Sequence, residues 1–224
     1  MGVALEAEYV DIFTDVIGVM TADPRIVPEA RILEGLTYTE AAEIIQQGAK
    51  VIHDKAMNIA REYRVPIRVR SLNDEGKGTL ICDIRSMSKE GLRLFSQDRA
   101  VYSIAFRKGL AQFRVKLNGK KEDNLLMFQL LASKGISIDL INLFPDIVAF
   151  VVEETKALRV KEILEKEGFE LTLIYPCAKI SLVGSGMADR PGVVADMVEA
   201  LRNSKIEILQ TSDSHVTISC LVHA

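Results

Sequence analysis

The 224-residue sequence predicts a mixed architecture: an α/β segment over residues 1–80, then two α+β repeats over residues 98–175 and 176–224. Three observations predict it. ISIDLINLFPDIVAFVV (136–152) aligns without gaps to IEILQTSDSHVTISCLV (206–222), an offset of 70 residues. Each copy follows an apolar helical segment, NLLMFQLLASKG or GVVADMVEALRNSK, and each of these follows a strand-like run, LAQFRVKL or CAKISLVG. Finally, the texture changes near residue 98, after which aromatic and β-branched strands alternate with short amphipathic helices.

Each element has a local reason. YVDIF (9–13) reads as a short strand ending at Thr14, and Pro24 and Pro28 hold the next stretch in an open loop. Thr37 and Glu40 form a capping box, followed by a helical face of Ala41, Ala42, Ile44 and Ile45. Gly48 interrupts it. Val51, Ile52, Ala56, Ile59, Ala60 and Tyr63 predict a second helical stripe, which Pro66 stops. IRVRS (67–71) alternates as a strand, NDEGKG (73–78) is a polar hinge, and TLICDI (79–84) resumes a strand. In the first repeat, TKALRVKEILEKEG adds a helix and FELTLIYP a strand. The resulting β-α-β-β-α-β unit is a ferredoxin-like sheet with two helices on one face. The second copy reaches only four of these elements by Ala224, so it reads as C-terminally truncated.

Composition narrows the function. Hydrophobic residues make up 48% of the chain, enough for a packed core without disulfides. A formal charge of −3 argues against a nucleic-acid binder. The basic residues Arg61, Arg64, Arg68 and Arg70 read as a solvated face. Cys82, Cys177 and Cys220 form no CxxC pair, and His53, His215 and His223 are scattered. Reduced thiols, no metal site and a cytoplasmic location are therefore expected. No apolar run has the length of a membrane span.

Three stretches carry candidate chemistry. TDVIGVMTADPRIVPEA (14–30) reads as a strand end, a tight turn and a charged loop of the kind that holds a phosphate. In VGSGMADRPGVV (183–194), Gly184 and Gly186 permit a tight turn and Pro191 suits the first turn of a helix. Unpaired N–H groups at that helix start can hold a carboxylate, with Asp189 and Arg190 beside it; a plain turn with a solvated charge pair is the alternative. QTSDSH (210–215) clusters polar side chains at a turn between two strands, or is simply a polar turn.

TDVIGVMTADPRIVPEARIL, followed by QGAKVIHDKAMNIAREYRVPIRVRS, resembles the C-terminal part of the catalytic domain of aspartate kinase. The two repeats resemble that family's paired ACT regulatory domains, with VGSGMADRPGV as the effector-loop motif. QTSDSHVTI is most similar to the diaminopimelate-controlled Gram-positive type. The resemblance implies that ATP phosphorylates the side-chain carboxylate of aspartate, under feedback by an end-product amino acid. It assigns Thr14 and Asp15 to the adenosine part of the nucleotide, and Arg25 and Lys50 to the phosphates. It assigns the effector loop to Gly186, Met187, Ala188, Asp189, Pro191, Gly192 and Val193, and Gln210, Thr211, Ser212 and Asp213 can satisfy an ammonium group or the far end of a longer amino acid. Diaminopimelate ranks first as effector, then lysine, then threonine.

Departures from the family fall at Ile17, Met20 and Asp54, and LNGKKEDNL (117–125) lacks the Pro-Gly pair of an ACT effector loop. The family's lysine-glycine motif and aspartate-binding residues would lie before Met1. The expectation is a remnant nucleotide site, inactive alone, with ATP and Mg²⁺ belonging to the full enzyme and no cofactor to this chain. A homodimer through the ACT domains, or association with a catalytic aspartate kinase chain, is expected, with no membrane or nucleic-acid partner. The alternative is a stand-alone ACT amino-acid sensor that regulates another protein.

Overall fold

The computed structural model describes residues 1–48, 51–72, 76–83, 100–117, 123–184, 187 and 190–224. They form two compact units. The first comprises Met1–Phe106, Ser181–Val193 and His215–Thr217; the second comprises Arg107–Ile180, Val194–Ser214 and Ile218–Ala224.

In the first unit, strands β1 (Val10–Thr14), β2 (Gly35–Thr37), β3 (Ile67–Ser71) and β4 (Thr79–Cys82) form one sheet in the order β1-β3-β4-β2. The β1–β3 and β2–β4 pairs are parallel, and β3–β4 is antiparallel. Alternation along β3 buries Ile67, Val69 and Ser71. It turns Arg68 and Arg70 to the other face, where they stack on Tyr9 and Phe13 at 4.9 and 4.7 Å. Arg70 also bonds Asp11 at 2.8 Å, so these two arginines are held over a carboxylate and two rings rather than left as a solvated face. β4 stops at Cys82, before the end of TLICDI, and residues 73–75 of the hinge lie outside the described residues.

Helix α1 (Tyr38–Gln46) starts on the capping box: Glu40 N–H donates to Thr37 Oγ1 at 3.1 Å, and Thr37 N–H to Glu40 Oε2 at 2.7 Å. It buries Tyr38, Ala41 and Ile44. Helix α2 (Asp54–Tyr63) corrects the predicted stripe. Val51 and Ile52 precede it, and the buried residues are Met57 and Ala60, while Ile59 and Tyr63 are exposed. The helix begins three residues later than the apolar pattern, so the pattern's phase does not carry into it. His53 caps it, with Nδ1 accepting the Lys55 N–H at 3.2 Å.

The second unit holds all or most of β5 (Ser103–Lys116), α3 (Asp123–Ser133), β6 (Asp139–Leu143), β7 (Ile147–Glu153), α4 (Ala157–Lys166), β8 (Leu171–Val183), α5 (Val193–Asn203), β9 (Ile208–Asp213) and β10 (Thr217–His223); Ser103–Phe106, Ser181–Val183, Val193 and Thr217 count with the first. The strand order is β6-β7-β5-β8-β10-β9. On one face, Phe113 and Phe150 stack with ring centroids 5.3 Å apart, among Met127 and Leu131 of α3 and Val160 and Leu164 of α4. On the other, Leu110, Leu140, Val151, Cys177 and Leu221 form a second cluster. β6 and β9, at opposite ends of the strand order, come into contact, so the sheet curls over this second face.

Two predicted strands, FELTLIYP and CAKISLVG, are one continuous strand, β8, and the expected boundary at 175/176 falls inside it. In the first repeat the closing strand β8 lies beside the opening strand β5. In the second repeat β8 is the opening strand, and β5 lies beside it, on the side away from β10. The sheet position that looked vacant in the second repeat is thus occupied by β5. Cys82, Cys177 and Cys220 are free and buried. Among the described residues, no helix is long and apolar enough to cross a membrane, and no cluster of His, Cys, Asp or Glu could hold a metal ion.

Candidate functional site

At the end of β1 the Thr14 hydroxyl donates to Asp15 Oδ1 at 2.9 Å. The chain then doubles back: Thr21 N–H donates to Arg31 O at 2.9 Å and Leu33 N–H to Val19 O at 2.8 Å. Fully buried Thr79 anchors this loop by accepting the Val19 N–H at 2.8 Å. At the tip, the Asp23 carboxylate accepts the Arg25 backbone N–H and Nε at 3.0 Å and Nη2 at 2.7 Å. Those bonds hold the Asp23 carboxyl below its ordinary range. Asp23 was not singled out from the sequence. The signal was the Asp-Pro-Arg turn, since an Asp side chain commonly bonds the backbone two residues on. Thr14, Asp15 and Arg25 all lie in the first unit; Lys50 lies outside the described residues. A cavity of 330 Å³ sits between this loop, at Val27, Glu29 and Arg31, and the segment Val101–Ile104.

In the glycine-bearing stretch, Met187 is buried and its carbonyl accepts the Arg190 N–H at 3.2 Å. Pro191 precedes the helix instead of sitting in its first turn. Gly192 has φ +104°, a left-handed backbone that breaks the helical path, and α5 begins at Val193. Gly186, Ala188 and Asp189 lie outside the described residues. Met187 and Pro191 to Val193 belong to the first unit, whereas Gln210 to Asp213 belong to the second.

Gln210, Thr211, Ser212 and Asp213 are strand residues of β9, not turn residues; the turn is 214–216. Asp213 pairs with Ile218 and Gln210 with Leu221 across the β9–β10 ladder. Strand alternation turns Gln210 inward, 7% exposed, and leaves Thr211 and Asp213 on the surface. The Gln210 side-chain nitrogen donates to Asn142 Oδ1 at 2.6 Å and to the Leu140 carbonyl. Its Oε1 accepts from fully buried Gln112 Nε2 at 2.8 Å. Arg114 completes the network, donating to Gln112 Oε1 at 3.1 Å and to the Leu209 carbonyl at 3.2 Å. Leu140 itself has φ +47°, at an irregularity between Asp139 and Asn142 of β6. Nearby, Lys179 Nζ donates to Asp139 Oδ2 at 2.7 Å. Burial works to raise the Asp139 carboxyl, but Lys179 and the Leu140 N–H outweigh it, and the group stays below its ordinary range.

A cavity of 490 Å³ opens on this network. Arg114, Asn142, Asp146, Ala149, Gln210 and Thr211 are among its walls. The two bonds leave Arg114 three of its five N–H donors. A guanidinium, a carboxylate and side-chain amides around one cavity suit a small zwitterion. Arg114 and Asn142 are single polar residues within strands and Asp146 lies in the short turn between β6 and β7, so no glycine-rich or serine-rich pattern marks them in the sequence.

The amino acid kinase family model matches residues 1–71, and an ACT domain model matches residues 173–224. Aspartokinase 1 of Bacillus subtilis is 43% identical over 224 residues, covering all of this chain and 55% of that protein. The chain belongs to the aspartate kinase family. Its fold is the C-terminal piece of an amino-acid-kinase fold followed by ferredoxin-like ACT domains. The chain spans about half the length of the curated aspartokinases it matches. E. coli aspartokinase III, solved with aspartate and ADP, superposes with TM-score 0.80 at 26% identity, covering 99% of this chain and 50% of that one. The regulatory subunit of the Thermus flavus aspartate kinase superposes with TM-score 0.52 at 30% identity, covering 56% of this chain and 90% of that one.

Proposed function

We propose that this chain is the regulatory portion of an aspartate kinase, joined to the C-terminal share of its nucleotide site. In the complete enzyme ATP, with Mg²⁺, would phosphorylate the side-chain carboxylate of aspartate to give 4-phospho-L-aspartate. Thr14 and Asp15 offer a hydroxyl and a carboxylate for the adenosine part. Arg25, 87% exposed, offers a cation for the phosphates once it exchanges Asp23 for them. Mg²⁺ and ATP supply the transferred group and its charge neutralisation. The residues of this chain position that group, and the chain alone is expected to show no turnover.

The observation that carries the regulatory half is the 490 Å³ cavity, whose walls come from both repeats. Arg114 faces an effector carboxylate and Asp146 an ammonium group. Asp213 at the β9 edge, with Thr211 and Ser212, is within the same element for the far amine of a diamino acid. The family resemblance ranks diaminopimelate ahead of lysine and threonine, and E. coli aspartokinase III has been solved with lysine. Assembly through the ACT domains, or with a catalytic chain, follows the same reading. The match to a separate Thermus regulatory subunit favours the second arrangement as well as the first.

Calorimetric titration with diaminopimelate, lysine and threonine tests the effector. A diamino acid should bind, and Arg114→Met should weaken it about tenfold or more, as loss of a charge-assisted hydrogen bond does. Unchanged binding in Arg114→Met would move the ligand out of this cavity. Failure of all three ligands to bind would overturn the effector assignment.

A further inference from the structure

Within the first unit, the short segment 100–104 is bonded on one side to the start of the glycine-bearing stretch and on the other to the loop after β1. Tyr102 N–H donates to the Val183 carbonyl at 3.0 Å. Gly184, whose own N–H donates to Val216 O at 3.0 Å, lies so close to Ala100 that any Cβ would collide with the Ala100 carbonyl. The same Cβ position is 3.0 Å from Cγ of buried Met187. On the opposite side, Ile104 N–H donates to Thr21 O at 2.8 Å and the Ser103 hydroxyl to Met20 O at 3.2 Å. Ser103 is 3% exposed, and Val19, next to Met20 in the same loop, is pinned by Thr79.

We propose that residues 100–104 are a positioning strap that sets the loop at 19–33 according to the positions of Val183, Gly184 and Met187. Close-packed contacts are not continuously deformable, so a shift at Gly184 or Met187 must be passed on or resisted. With Ala100 in contact with Gly184 and no space for a methyl between them, the shift reaches Tyr102, and through Ser103 and Ile104 the carbonyls of Met20 and Thr21. Those two residues lead directly into Asp23 and Arg25. This rests on the functional reading above at one end only: 14–31 is its nucleotide share, and the stretch after Val183, which lines no part of the 490 Å³ cavity, is tied to the effector by the family resemblance alone. The bonds themselves do not depend on that reading.

Amide hydrogen exchange on the full chain, with Ser103→Ala, Gly184→Ala and the exposed second-unit control Ser133→Ala, tests the strap. Ser103→Ala should speed exchange of the Thr21, Leu33 and Ile104 amides roughly fivefold, the loss of one hydrogen bond. It should also raise exchange at Tyr102 and Gly184, leaving the amides of β7 unchanged. Gly184→Ala should raise the same set by more. Should Gly184→Ala fail to fold, the spread from Ser103 back to Gly184 decides alone. An effect confined to 103–104, or one spread evenly over the first unit, would overturn the proposal. A second arm adds diaminopimelate, lysine or threonine to the unmodified chain. Coupled variants with no ligand effect at 19–33 would sink the functional reading and leave the strap standing. Ligand binding with uncoupled variants would do the reverse.

Discussion

On the helix-covered face of the six-stranded sheet, Phe113 and Phe150 stack among Met127, Leu131, Val160 and Leu164. On the opposite face the equally buried Gln112 and Gln210 bond each other at 2.8 Å beside Leu110, Leu140 and Leu221. The first face gains stability from area and shape, which many apolar side chains could supply. The second gains little net energy from its hydrogen bonds, because water would have supplied them too. What it gains is placement. An amide that must meet Asn142 Oδ1, the Leu140 carbonyl and Gln112 accepts one position of β9 against β6.

The sharpest test of this contrast is Phe150→Ala, which should cost about 3–5 kcal/mol in chemical denaturation, as for other buried aromatics. A loss below about 1 kcal/mol would mean that the stacked pair is not the centre of that core. Gln210→Leu keeps the volume but leaves Gln112 Nε2 only its bond to the Leu209 carbonyl and takes the Gln210 donor from the β6 acceptors, so it should cost about 1–3 kcal/mol. An equal or higher stability would show that the polar face is replaceable by apolar packing, as happens for some buried polar groups.

The smallest effect belongs to the Lys179–Asp139 pair, 8% and 47% exposed in their side chains. Lys179→Met should cost about 1 kcal/mol, since the half-exposed carboxylate keeps much of its water. The pH dependence sets its sign. A carboxyl held below its unfolded value, about 3.9, gives stability that is present above that pH and is lost as pH falls through the folded value. Lys179→Met should therefore flatten the acid limb of the stability profile below about pH 4. An unchanged acid limb would assign acid unfolding to other carboxylates.

The same contrast explains which parts were legible in the sequence. The helix-covered face wrote itself into period-2 strands and 3.6-period helices, and the two hairpins are aligned copies because both repeats need that pattern. The capping box at Thr37 was equally local. Gln112 gave no signal, a single amide in an otherwise apolar strand, because its partners lie in β9. Gln210 reads from its polarity as a turn residue, since a buried amide on a strand looks like a polar loop residue. The curl that brings β6 to β9 is non-local and follows from strand order, which no window of sequence contains. On α2, Met57 was missed because the apolar residues before the helix set the wrong phase.

The three cysteines give each region its own clock. Cys82 lies in the first unit, Cys177 and Cys220 in the second, and all three are buried. Burial pushes the Cys82 thiol up to about 11, with the nearby Asp83 charge adding to it, and also raises Cys177 and Cys220. At neutral pH a thiol of that kind meets an alkylating reagent only when its surroundings open. Pulsed labelling followed by peptide mapping would thus time the opening of β4 separately from that of β8 and β10, in one sample and without an introduced probe.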